Sequence, residues 1–389
     1  MHRLKKLIPR GKKSIIIVLL VLVFTAVTGA FFAFSEGGPF PMLFNFNHKE
    51  QIPWPPKIIN AIYLTAWSTT LPEKINSLIN LASTTEINAV VLDVKDWSGK
   101  VFYETNVSEV KKYKTEQKII PNIKSLLAEF RGRGIYTIAR IVVFEDPALA
   151  AARPDLAIRK ESNKSLIWKD NLGLAWVDPA SREVWDYDVK LAQDTLSQGF
   201  DEVNFDYVRF PSDGDINGIS FPVWDGQTPK NIIIRDFFRY IRKQMPKATL
   251  SVDIFGLTTV SKDDMGIGQI IEDAYENFDF VSPMIYPSHF ANGFNGYKNS
   301  AEHASELIKF SLESATARLN IYPASSTLGV KLRPWLQDFN LGAEYDKNRV
   351  RSEIDTVAET LGVNYVGYVM WNPKNVYTTD AFPLKENGL

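Results

Sequence analysis

The segment GFDEVNFDYVRFPSDGD, residues 199–215, sets a carboxylic acid inside an apolar run: Asp206 lies among Phe200, Val203, Phe205 and Val208. A buried carboxylate is strongly unfavourable unless it is paired, hydrogen-bonded or open to water. Asp206 is therefore expected to face a polar, partly wet pocket. Neighbouring segments repeat the pattern. In ATLSVDIFG, Ser251 and Asp253 alternate with Leu250, Val252 and Ile254, and in NAVVLDVKDWSG, Asp93 and Lys95 alternate with Val90, Leu92 and Val94. GIYTIARIVVFED supplies Arg140, Asn204 shares a face with Asp206, and Arg209 follows it. Successive residues of a strand point to opposite faces, so each segment sends its polar set to one side.

Paired carboxylates suit glycoside cleavage. One acid protonates the leaving oxygen, and the other attacks the sugar or activates water. Adjacent strands lie about 4.8 Å apart, so acids on neighbouring strands can reach the roughly 5–9 Å separations such pairs use. Asp206 and Asp253 are the expected catalytic pair. Arg140 and Arg209 are expected to set their charge state, with Asp93 and Lys95 holding substrate hydroxyls. The competing reading is an ionic network that only satisfies itself inside a pore.

The elements that must position these residues alternate strand and helix. Strand patterns fall at Ala61–Trp67, Ile87–Asp96, Ile135–Phe144, Phe200–Phe210, Ala248–Gly256, Phe278–Tyr286, Val330–Leu336 and Tyr365–Trp371. Helical patterns fall at Pro72–Ser83, Ile120–Arg133, Ser181–Ser197, Asn231–Gln244, Ile267–Asn277, Ala301–Ala317 and Arg349–Leu361. Eight strands with intervening helices predict an α/β fold, a (β/α)8 TIM barrel over residues 57–389. Inserts follow the second, third and fourth strands, the third-strand insert (IRKESNKSLIWKDNLGLAWVDP) being hairpin-like. All leave from the strand ends where barrels carry their sites.

At this point the segments GFDEVNFDYVRFPSDGD, ARIVVFEDP, VLDVKDWSG, SVDIFG, SPMIYPSHF and LRPWLQDF together resemble a glycoside-hydrolase-like family. Its members are membrane-tethered or secreted bacterial barrels, classed as a domain of unknown function. The likeness runs from about Ile58 to Pro373. This family is in turn similar to TIM-barrel glycosidases of the α-amylase and α-galactosidase kind. By position, the resemblance implies that Asp206 is the nucleophile and Asp253 the acid, although the amylase-type acid is Glu. The β-glycosidase arrangement would instead put the acid on the fourth strand and the nucleophile on the seventh, where Asp338 stands.

Other residues divide between site and core. Tyr286 and Trp371, at the ends of the sixth and eighth strands, are expected to stack on sugar or to pack the barrel end; Trp97 is a third such residue. SDGDINGI begins like a calcium loop with Asp213, Asp215 and Asn217, but its twelfth position is Trp224 and not a bidentate Glu, so a turn is the expectation. Four His and no Cys argue against zinc, and no phosphate loop or G-x-S-x-G elbow is present. No cofactor is expected, and no nucleotide.

The first thirteen residues carry six Lys/Arg, and excluding them leaves 38 basic against 45 acidic residues, a balance that disfavours a nucleic-acid partner. The uncharged run 14–34 that follows is long enough to span a bilayer as a signal anchor, with residues 1–13 cytoplasmic. The alternative is secretion after signal cleavage. Residues 35–56 read as a Pro/Gly spacer. Together these point to a membrane-anchored extracytoplasmic hydrolase of a cell-envelope or external polysaccharide or oligosaccharide. The alternative is a carbohydrate-binding barrel without turnover that organises the cell envelope.

Overall fold

The structure, a computed structural model, describes residues 54–322 and 329–385. The expected anchor at 14–34 and most of the spacer lie outside the described residues. Among the described residues, no helix is long and apolar enough to cross a membrane.

Eight parallel strands close into a barrel. They are β1 (Ile59–Leu64), β2 (Ala89–Lys95), β3 (Tyr136–Val142), β4 (Glu202–Asp206), β5 (Leu250–Phe255), β6 (Phe280–Met284), β7 (Lys331–Leu332 and Trp335–Gln337) and β8 (Gly367–Trp371). Each pairs with the next, and β1 pairs with both β2 and β8, which closes the ring. Among the described residues, the main helices between successive strands are α1 (Pro72–Thr84), α2 (Ile123–Gly132), α3 (Arg182–Gln198), α4 (Lys230–Gln244), α5 (Ile271–Tyr275), α6 (Ala304–Ile321) and α7 (Lys347–Leu361), with short helices at Ser108–Tyr113 and Pro147–Ala152 in the inserts.

Two apolar layers follow from the period-two pattern. Ile62, Leu64, Val90, Leu92, Val203, Phe205, Val252 and Ile254 point outward and pack under the helices. Ile59, Ala61, Tyr63, Ala89, Val91, Tyr136 and Ile138 fill the pore. Burying one Phe or Leu of the outer layer stabilises by about 1.5–3 kcal/mol, so the outer layer largely fixes which face of each strand is inward.

Two elements depart from expectation. The seventh strand is broken at Pro334, which has no N–H to give to a ladder. The helix expected from Ile267 begins only at Ile271, because Gly266 and Gly268 take φ of 70° and 86° and Ile270 is extended. The inserts form their own structure. Arg159–Lys160 and Asn163–Ile167 make the expected hairpin, and Ile219–Ser220 from the insert after β4 joins it as a third strand.

Candidate active site

At the C-terminal ends of the strands lies a cavity of about 720 Å³, with Asp206, Arg140 and Arg209 among its polar lining. Its walls are aromatic: Tyr63, Trp97, Tyr207, Phe255, Tyr286, Phe290, Trp335 and Trp371 all line it. Tyr286 and Trp371 lie with ring centroids 4.8 Å apart. His289 sits 5.3 Å from Tyr286, and burial lowers its pKa, so its ring is neutral near pH 7.

Inward-facing positions of β2, β3, β4 and β5 build the floor. Arg140 donates from Nη1 to Asp93 Oδ1 at 2.6 Å, and from Nε and Nη2 to Asp206 Oδ2 at 3.1 and 2.5 Å. Tyr63 donates its hydroxyl to Asp93 Oδ2 at 2.5 Å. The second oxygen of Asp206 accepts the backbone N–H of Tyr207 at 2.6 Å. Burial would depress Arg140, but Asp93 and Asp206 outweigh it and hold the guanidinium charged well above its usual range. Burial raises Asp93 despite Arg140 and Tyr63.

Asp253 lies one strand over, fully buried and outside the cavity lining. Its Oδ1 accepts from Trp335 Nε1 at 2.7 Å and from Asn204 Nδ2 at 2.8 Å. Its Oδ2 has no hydrogen-bond partner and lies 3.9 Å from Arg140 Nε. Burial, and then the charge of Asp206, push Asp253 well above the carboxylate range and favour its neutral form. Asn204 is likewise buried and serves Asp253 and Ser251.

Lys95 does not reach the cavity. The β2–β3 register slips between Asp93 and Lys95, and a one-residue slip sends a side chain to the opposite face. Lys95 therefore points into the helix layer, fully buried, 2.8 Å from both Asp146 and Asp188. Burial pulls its pKa down, but those two acids more than reverse the effect, and it stays charged. The expectation that it holds substrate hydroxyls meets no geometry here. Asp338 is also turned away, with its two oxygens accepting from the N–H and hydroxyl of Thr378 at 2.7 Å. Asp215 caps its own turn by accepting from the Gly218 N–H, and among the described residues no cluster of three metal-ligating side chains occurs.

Two groups were not legible beforehand. Alternation with Val203 and Phe205 assigns Tyr207 to the outer apolar face, but its φ of +53° turns it into the cavity wall directly after Asp206. For a bulky residue that conformation is unusual, and such outliers gather at functional sites. Glu145, in the segment VVFED at the end of β3, is 4% exposed and is pushed up to about 8 by burial, against the pull of Arg209. Asp206 is among the charges that raise it. The signal for Glu145 was its place one residue past an apolar run, a place it shares with many loop acids.

The PgaB (BpsB) glycoside hydrolase domain from Bordetella bronchiseptica matches with 12% identity and a TM-score of 0.57, over 85% of this chain and 99% of that one. A hypothetical protein from Ruminiclostridium thermocellum is 35% identical over 53% of this chain and 98% of its own, with a TM-score of 0.46. The α-galactosidase TtGalA from Thermus thermophilus matches with 12% identity and a TM-score of 0.49, over 84% of this chain and 60% of that one. No curated protein matches. The family described as "Putative glycosyl hydrolase domain" matches residues 61–377, and the chain belongs to that family.

Proposed function

We propose that this chain hydrolyses O-glycosidic bonds of an oligosaccharide or polysaccharide outside the cytoplasm, tethered by the apolar run 14–34 behind its basic tail. The observation that carries the reading is Asp206, held by Arg140 in an aromatic-walled cavity of about 720 Å³. Aromatic faces stack on the apolar faces of sugar rings, and a fixed carboxylate beneath them meets an anomeric carbon.

Asp206 is proposed as the carboxylate that attacks the anomeric carbon or activates water. Two buried carboxyls near it have raised pKa values, and neither lines the cavity. Asp253, the partner expected from sequence, favours its neutral form but is sealed from the cavity, and we assign it to positioning Asp206 and Arg140. Glu145 also lies outside the cavity lining but keeps 4% exposure, and its raised pKa favours the protonated form a general acid needs near neutral pH, so it is the proposed donor, through a water, to the leaving oxygen.

The test is release of new reducing ends from envelope polysaccharide and a glycan panel by the detergent-solubilised chain, beside Asp206→Asn. Release that disappears in the variant supports the hydrolase; release that survives removes Asp206 from the mechanism. A second reading, a carbohydrate-binding barrel without turnover, is favoured by one observation: Asp206 is the only carboxylate among the residues lining the cavity. Retained glycan binding with no product from the wild type would establish it.

A further inference from the structure

The cavity contains a second fixed cation that the reaction itself does not use. Arg209 stands three residues beyond Asp206, lines the same cavity and is 7% exposed. Its guanidinium carbon lies 4.8 Å from the ring centroid of Trp176, 5.2 Å from that of Tyr207 and 4.8 Å from that of Phe255, so three aromatic rings hold it in place. One nitrogen is tied down: Nη1 donates to the backbone carbonyl of Phe210 and to the hydroxyl of Ser212, both at 3.1 Å.

The other two nitrogens are unengaged. Among the described residues, neither Nε nor Nη2 of Arg209 has a hydrogen-bond acceptor, and no carboxylate oxygen lies within the 4.0 Å of an ion pair. Neither nitrogen is sealed from solvent, unlike Nε of the buried Arg333. Arg140 shows the contrast. It lies in the same cavity with all three nitrogens committed to Asp93 and Asp206. A buried cation without a counter-ion is unfavourable unless a ligand supplies one.

The vacant pair is also the right shape. Nε–H and Nη2–H are the parallel donors along one edge of the guanidinium, the fork that takes both oxygens of a planar carboxylate. We propose that Arg209 recognises a carboxylate substituent on the glycan, so that the substrate of this barrel is an acidic, uronate-type sugar. This inference rests on the hydrolase reading for its substrate, but its test reads binding alone. Nearby acids do not fill the role of counter-ion: Asp206 is engaged by Arg140, Asp213 acts on Arg209 only from beyond ion-pair distance, and burial keeps Glu145 largely protonated below about pH 8.

The test titrates the detergent-solubilised full chain with glucuronate and galacturonate, with glucose and galactose as neutral counterparts and with inorganic sulfate. Tryptophan fluorescence is followed, since Trp176 packs on the guanidinium. Each wild-type comparison holds the sugar constant and changes only the carboxylate. We expect at least one uronate to bind about tenfold or more tighter than its neutral counterpart, as a bidentate charged pair provides. Arg209→Gln should abolish that preference, and Arg209→Lys, which keeps the charge but not the fork, should leave an intermediate one. Equal binding of uronates and neutral sugars, no saturable response to either uronate, or a preference that survives Arg209→Gln would each overturn the proposal. Sulfate binding as tightly as the uronates, and lost in Arg209→Gln, would overturn the carboxylate in favour of a tetrahedral oxyanion. Uronate binding without any hydrolysis would keep this inference and remove the hydrolase. Hydrolysis of a neutral glycan unaffected by Arg209→Gln would do the reverse.

Discussion

Arg140 gives two N–H groups to a single oxygen of Asp206, Oδ2, at 3.1 and 2.5 Å, while its third nitrogen holds Asp93 at 2.6 Å. One cation thus fixes the orientation of the proposed reacting carboxylate and ties it to β2. Charge-assisted pairs of this kind are short and directional, and removing one partner strands the other.

Two substitutions separate chemistry from support. Asp206→Asn keeps the shape but only one of two acceptors, setting an amide N–H against the Tyr207 N–H or Arg140. With Asp93 still pairing Arg140 it should fold, less destabilised than Arg140→Leu, while hydrolysis is lost. Arg140→Leu leaves Asp93 and Asp206 without their cation and should cost about 3–5 kcal/mol of stability, measured by chemical denaturation. If Arg140→Leu were as stable as the wild type, the network would not be holding the floor together.

Asp253 gives a prediction of the opposite kind. Burial favours the neutral form of Asp253, so Asp253→Asn should replace one neutral group by another of similar shape. Stability should change by no more than about 1 kcal/mol, and the hydrogen bond from Trp335 can persist. A positioning role predicts reduced kcat with KM little changed and with the alkaline limb of the pH profile intact. Loss of that limb in Asp253→Asn would make it the proton donor in place of Glu145.

The residues of this floor were legible because β4 and β5 alternate: polar residues at every second position, Asn204 and Asp206 or Ser251 and Asp253, of an otherwise apolar strand have only the pore to face. The same rule misplaced Lys95, since alternation assumes an unbroken register, and the slip after Asp93 is set by the pairing with β3 and not by any local residue. It also misplaced Tyr207, whose positive φ ends the strand at Asp206, four residues before the expected end at Phe210. Eight strands were readable from apolar runs, but the break in β7 depended on the weight given to one proline. Glu145 was hidden for a different reason. Its burial comes from long-range packing that no local pattern encodes.

The register slip makes a test of Lys95. Lys95→Met would leave Asp146 and Asp188 buried without a cation, an expected loss of about 3–5 kcal/mol. Burial already pushes Asp188 up to about 7, so mild acid should protonate it and recover part of the loss. Substrate KM should be unchanged at temperatures where the variant is folded. A raised KM with normal stability would return Lys95 to the binding site.

Glu145 makes the stability of the barrel depend on pH with a definite sign. Its folded pKa of about 8 lies above its ordinary value of 4.5, so between those limits the folded state binds more proton than the unfolded chain. The stabilisation is therefore complete below about pH 4.5 and is lost as pH rises through about 8, at no more than roughly 1.4 kcal/mol per pH unit. Glu353, also raised to about 8 by burial, and Asp188 act in the same direction, so the diagnostic quantity is a difference between proteins. Glu145→Gln should melt near the wild type in mild acid and above it at pH 8, with a flatter dependence between. Parallel Tm curves for the two proteins across that range would show that Glu145 is ionised in the folded barrel, and would remove it as the proposed acid.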